Sequence, residues 1–142
     1  MFLIRAFLVW FVMLGVEFCH GALRSIFLSP LLGDNLARQL SVFTGSALFV
    51  LLAYLFIPWV RAEGTGSLLA VGFLWLILTV AFELSFGHYV FGMSWDAVLA
   101  EFNLLEGKLF PIGLVLLTLS PIIATRLRAR RSARQPDSSK SD

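Results

Sequence analysis

The chain has 142 residues, 58% of them hydrophobic and 14% charged, with a mean hydropathy of +0.87. Soluble domains average about 45–50% apolar and about 25% charged residues, so this composition excludes an ordinary soluble domain, a disordered chain, a collagen-like fibre and a nucleic-acid-binding domain. The net charge of +2 is a topology signal, because Arg126, Arg128, Arg130, Arg131, Arg134 and Lys140 crowd one end of the sequence. The single cysteine, Cys19, permits no internal disulfide.

A transmembrane helix needs about 20 mostly apolar residues, and four such windows follow one another. The first, about residues 4–24, is apolar over Ala6–Val16, with Arg5 just before that run and Glu17, His20 and Arg24 in its last turns. No small-x-small cleavage pattern follows it, so it reads as an uncleaved helix and not as a signal peptide. Next, Gly33–Leu40 predicts a helix with Asp34 as N-cap, Asp34 and Arg38 at i,i+4, and leucines 32, 36 and 40 in one stripe. It leads into the uncharged span 42–60, where Gly45, Ser46 and Ala47 suit close helix contact. The third span, 67–87, carries Ala70 and Gly72 and stays uncharged until Glu83. Ser94–Gly107 predicts an amphipathic helix lying on the membrane surface, anchored by Trp95 and stopped by Gly107. The fourth span, 109–125, has Pro111 and Pro121 near its ends, and residues 126–142 read as a basic, disordered cytoplasmic tail.

The expected fold is therefore an all-α integral membrane protein. Residues 1–125 form four transmembrane helices with two short amphipathic segments on the outer face. Arg5, Arg61 and the basic tail share one side, while Arg24, Arg38 and Lys108 lie on the other. The bias of Lys and Arg puts both termini in the cytoplasm of a multi-pass protein of a bacterial-type inner membrane. An offset of 66 residues aligns Glu17 with Glu83 and Gly21 with Gly87, giving VEFCHG and FELSFG a shared E-x-x-x-G and predicting a parallel 2+2 repeat. With both termini inside, Glu17 and Glu83 belong to one level near the outer face.

Charged side chains inside a span are costly unless paired or hydrated, so they mark where chemistry is to be sought. Glu17, His20 and Arg24 fall within an arc of about 60° on one helix face. Together with Arg38, Glu83 and His88 they form the candidate binding cluster, which serves either as a structural clasp or as a functional site. Glu83 has no basic neighbour on its own helix and needs a partner from elsewhere. Glu17-x-x-His20 matches half of a di-metal Glu-x-x-His pattern, but Phe86 stands at the corresponding place after Glu83 and the second and fourth spans contain no Glu. No cofactor is expected; the alternative is a haem b ligated by His20 and His88. Trp10, Trp59, Trp75 and Trp95 are scattered as an interfacial belt would scatter them. No nucleophile–base arrangement, phosphate loop or metal-spaced cysteine cluster supports catalysis.

Three function classes follow. The first is a structural or accessory subunit, the polar cluster fixing helix packing. The second is a proton- or cation-coupled transporter or channel that acts as a homo-oligomer through Glu17 and Glu83. The third is a haem-bearing redox subunit. The expected partners are the lipid bilayer, further copies or a larger membrane complex, and anionic lipids at the basic tail; nucleic acid is not among them.

Overall fold

The structure, a computed structural model, describes residues 1–135, and every regular element among them is helical. Helix α1 (Phe2–Leu23) passes through a π-helical turn (Arg24–Leu28) into the short α2 (Ser29–Leu32), and α3 (Asp34–Val60) follows. Helix α4 (Gly64–Ser85) ends in a second π-helical turn (Phe86–Val90). The short α5 (Trp95–Ala100) and a 3-10 turn (Leu104–Glu106) then lead to α6 (Phe110–Arg134). Four helical runs, Phe2–Leu32, Asp34–Val60, Gly64–Val90 and Phe110–Arg134, are long and apolar enough to cross a membrane.

Each run outlasts its apolar window. The first two runs end where the backbone takes a positive φ, at Gly33 (φ 80°) and Arg61 (φ 58°), and not where hydropathy falls, and the 3-10 turn before α6 ends likewise at Gly107 (φ 82°). Gly33 is also the N-cap of α3, so Asp34 sits in the first turn instead of capping it. The basic stretch expected to be disordered from residue 126 is helical through Arg134, because arginine is a good helix former and its charge suits a helix C-terminus. The rest of that stretch, residues 136–142 with Lys140, lies outside the described residues. The segment 94–107 is α-helical only over Trp95–Ala100, although Gly107 does stop it as expected.

The long helices form a ring in which α1 adjoins α3, α3 adjoins α6, α6 adjoins α4 and α4 adjoins α1. Two indoles set the register of α1 against α4: Trp75 Nε1 donates to the Ala6 carbonyl at 2.8 Å, and Trp10 Nε1 donates to Thr79 Oγ1 at 3.0 Å. Both bonds join residues 69 apart in sequence, so the two helices are parallel with that offset. Glu17 is thus level with Phe86, and Glu83, three residues earlier at a rise of about 1.5 Å, lies about 4.5 Å nearer the packed half of the bundle. Topology puts the two carboxylates at similar depth near the outer face, and the indole register sets a stagger of less than one helical turn between them.

Two prolines sit inside helices, and each frees the carbonyl four residues earlier. Pro121 lies in the interior of α6, not near its end, and the buried Ser120 hydroxyl donates to the orphaned Leu117 carbonyl at 2.6 Å. Pro58 frees the Tyr54 carbonyl in α3, which accepts from Arg128 Nη1 at 2.8 Å while that guanidinium lies over the Tyr54 ring. At the same end Arg5 donates to the Trp59 carbonyl at 3.1 Å. These arginines therefore close the backbone of α3 where no intrahelical donor exists, a requirement that is strict away from water.

The core occupies only the half of the bundle near these arginines. Ala6, Val9, Met13, Val60, Val71, Trp75, Leu117 and Ala124 are almost completely buried there. Outward faces carry large exposed apolar side chains such as Phe11, Phe43, Leu55, Phe73 and Ile77.

Helices α4 and α6 touch at Gly72, where an added Cβ would run into the Thr118 carbonyl group. Gly72→Ala is expected to cost about 1–3 kcal/mol by overpacking. Gly15→Ala, with nothing within 4 Å of the new methyl, should be neutral or stabilising. Thermal unfolding of both variants in detergent checks this contrast, and equal melting temperatures would refute it.

Candidate functional site

The other half of the bundle is hollow. A cavity of about 460 Å³ begins above Trp10, Met13 and Leu117 and reaches up to Arg24 and Arg38. It adjoins an outer vestibule of about 630 Å³ bordered by Val98, Glu101, Phe102 and Lys108. Arg24, Arg38, Glu83, Phe86 and Phe110 line both spaces.

On α1 the side chain of Glu17 is held by His20 one turn later, Oε2 to Nδ1 at 3.2 Å. His20 Nε2 reaches across to Thr44 Oγ1 on α3 at 2.8 Å. Three proton arrangements close this chain: the imidazole is doubly protonated and donates to both neighbours, or Thr44 donates to Nε2 and Nδ1–H donates to Glu17, or a protonated Glu17 donates to Nδ1 and Nε2–H donates to Thr44. In the first and third the Thr44 hydroxyl is free to donate to the Leu40 and Ser41 carbonyls behind it. The carboxylate is admitted by Gly45, whose Cβ, if present, would stand 3.1 Å from Oε2 and 3.3 Å from Oε1. Two atoms in the wall remain without a hydrogen-bond partner among the described residues, Glu17 Oε1 and the buried Ser41 Oγ.

Arg38 is not paired with Asp34, as the i,i+4 spacing had predicted. Its Nη1 lies 3.3 Å from Glu101 Oε1, and Lys108 Nζ approaches the same oxygen at 3.5 Å. One carboxylate after α5 thus ties the starts of α3 and α6 together. A partner on a neighbouring element, fixed by tertiary structure, prevails over an exposed helical pair worth only about 0.3–0.5 kcal/mol.

Glu83, in the last turn of α4, is exposed within these spaces and has no ion pair or side-chain hydrogen bond among the described residues. Arg24 opens the π-helical turn after α1 and lines the same two cavities, likewise without an ion pair among those residues. His88 is placed elsewhere. Its Nδ1 donates to the Met93 carbonyl at 2.9 Å and its ring stacks on Trp95 at 4.0 Å. It lines neither cavity. The structure therefore does not bring together His20 and His88, the pair on which the haem alternative rested, and both ring nitrogens of His20 already have partners. No group of three or more His, Cys, Asp or Glu side chains gathers as metal ligands among the described residues.

Glu17, His20, Arg24, Arg38 and Glu83 all face one continuous region. Sequence reading missed Glu101, Thr44 and Ser41 as members of it. The spacing of Ser41, Thr44 and Gly45, one small face inside an apolar helix, was the available signal for the α3 wall. Comparison with known protein families, with curated proteins and with solved structures finds no match for the chain.

The His20–Thr44 bond is the direct polar tie between α1 and α3 in this half. His20→Ala and Thr44→Val, alone and combined, should show a coupling of about 1 kcal/mol in unfolding measurements. Strict additivity would mean that the bond contributes nothing.

Proposed function

We propose that the chain is a small multi-pass transport protein in which the carboxylates of an outward-facing cavity, Glu83 above all, receive a proton or a cationic group. The observation that carries this reading is Glu83 itself: a carboxylate at the end of a long apolar helix, open to two cavities and with no partner among the described residues. A side chain kept only for helix packing would be expected to have one. The packed core below Trp10 and Met13 closes the cavity at its other end, as a site with access from one side requires.

The membrane setting belongs to the same proposal. We place the protein in a bacterial-type inner membrane with both termini cytoplasmic, since Arg5, Arg61 and the arginines of α6 share the closed end and Arg24, Arg38 and Lys108 the open one. The α6 arginines then meet anionic headgroups, each contributing about 1 kcal/mol. The helix order fits a parallel 2+2 repeat, because α1 and α4 run parallel and each ends in a π-helical turn. Four spans enclose little interior, which favours a homo-oligomer or a place in a larger complex.

A second reading, a structural subunit whose polar cluster clasps helices, is favoured by the Glu17–His20–Thr44 chain and by the shared grip on Glu101. Flux separates the two. Proteoliposomes holding a pH-sensitive dye should relax after an imposed pH step faster than protein-free vesicles. Glu83→Gln should return them to the protein-free rate while the melting temperature in detergent stays unchanged. A wild-type rate equal to that of empty vesicles, or a rate indifferent to Glu83→Gln, would leave the structural reading in possession.

A further inference from the structure

We infer that the cavity takes a zwitterionic ligand, a molecule with an ammonium group and an anionic group on an apolar body, its ammonium at Glu83 and its anionic group at Arg24. The inference rests on Glu83 being the cation-receiving group proposed above, and adds Arg24 and the class of ligand.

The charges around the cavities sort into satisfied and unsatisfied ones. Arg38 and Lys108 share Glu101, and Glu17 takes His20. Among the described residues, Glu106 lines only the outer vestibule, also without an ion pair; among those lining both cavities, that leaves one unpaired charge of each sign, Arg24 and Glu83, which do not pair with each other. A simple cation drawn to Glu83 would meet the unpaired guanidinium, and a simple anion drawn to Arg24 would meet the carboxylates of Glu83 and Glu101. Only a ligand bearing both signs satisfies both groups, so the site discriminates by repulsion as well as by attraction.

The remainder of the cavity fits the same class. Trp10, Met13, Leu14, Phe49, Phe82 and Leu114 give it an apolar lining for a hydrophobic body. Its volume of about 460 Å³ falls within the roughly 300–1,000 Å³ usual for small-molecule sites. Ser41 is 8% exposed, and its hydroxyl in the wall has no partner. The free Glu17 Oε1 stands in the same wall. Both are oxygens with no partner of their own in the cavity wall, acceptors of the kind that an ammonium with three N–H donors calls for. A free amino acid with a large apolar side chain and the headgroup of a zwitterionic phospholipid share this chemistry.

The test uses the full chain in detergent and reads melting temperature together with tryptophan fluorescence, since Trp10 lines the cavity. The probes are L-phenylalanine, its cationic fragment phenethylamine, its anionic fragment 3-phenylpropionate, and short-chain phosphatidylethanolamine and phosphatidylglycerol. Phenylalanine or phosphatidylethanolamine should bind at least about tenfold more tightly than any singly charged probe, the loss expected for one charge-assisted contact. Which of the two binds identifies the source. Arg24→Gln should erase the preference for zwitterion over amine, and Arg24→Lys should retain it at reduced affinity, which guards against a variant that fails to fold. Phenethylamine binding as tightly as phenylalanine, and lost in Glu83→Gln, would overturn the zwitterion while sparing the cation-receiving role of Glu83. Binding of none of the probes would overturn both.

Discussion

The arrangement of the bundle depends on Trp75. Its indole is completely buried, and its single N–H is spent on the Ala6 carbonyl of the neighbouring helix. A buried indole without an acceptor would lose about 1–3 kcal/mol, so the bond admits one register between α1 and α4 and resists sliding by a turn. Trp10 repeats it one turn along. From this register follow the stagger of Glu17 and Glu83, the floor of the cavity, and the placement of both π-helical turns at the open end.

The two ends of the bundle solve the same problem differently. Every backbone carbonyl removed from water needs a donor. At the closed end the proline-freed carbonyl of Tyr54 is met by Arg128 and that of Leu117 by Ser120, so polar groups there are consumed by the backbone. At the open end the backbone is largely satisfied within helices, and Arg24, Glu83, Ser41 and one oxygen of Glu17 remain for other uses. The same kind of residue is structural at one end and available at the other, for reasons of backbone accounting.

Much of the helical organisation was legible in the sequence, because four long apolar runs and a left-handed stop such as Gly107 are local signals. The grouping of Glu17, His20 and Arg24 on one face was legible for the same reason, since helical periodicity is fixed. What depended on tertiary contact was not. The partner of Arg38 sits after α5, more than sixty residues away, and nothing around Asp34 announces it. The three-residue stagger of the carboxylates follows from indole bonds that no alignment of the halves contains. The helix in segment 94–107 ends at Ala100, next to the Glu101 that meets Arg38 and Lys108, and amphipathic spacing records no such contact between elements. The helicity of Arg126–Arg134 was hidden because a run of like charges resembles a solvated tail until its arginines find Tyr54.

The division into a packed half and a hollow half also grades the molecule in time. Hydrogen exchange from a helix requires local opening, and opening costs least where few buried apolar contacts must be broken. Amides around Trp75, Val71 and Val60 are sealed by the core, where opening would have to break the most apolar contacts. Those of the π-helical turns at Arg24–Leu28 and Phe86–Val90 border open space and contain no buried residue. The bundle is thus a packed base carrying a sparsely packed rim where opening costs least, and that rim is where the unpaired charges stand.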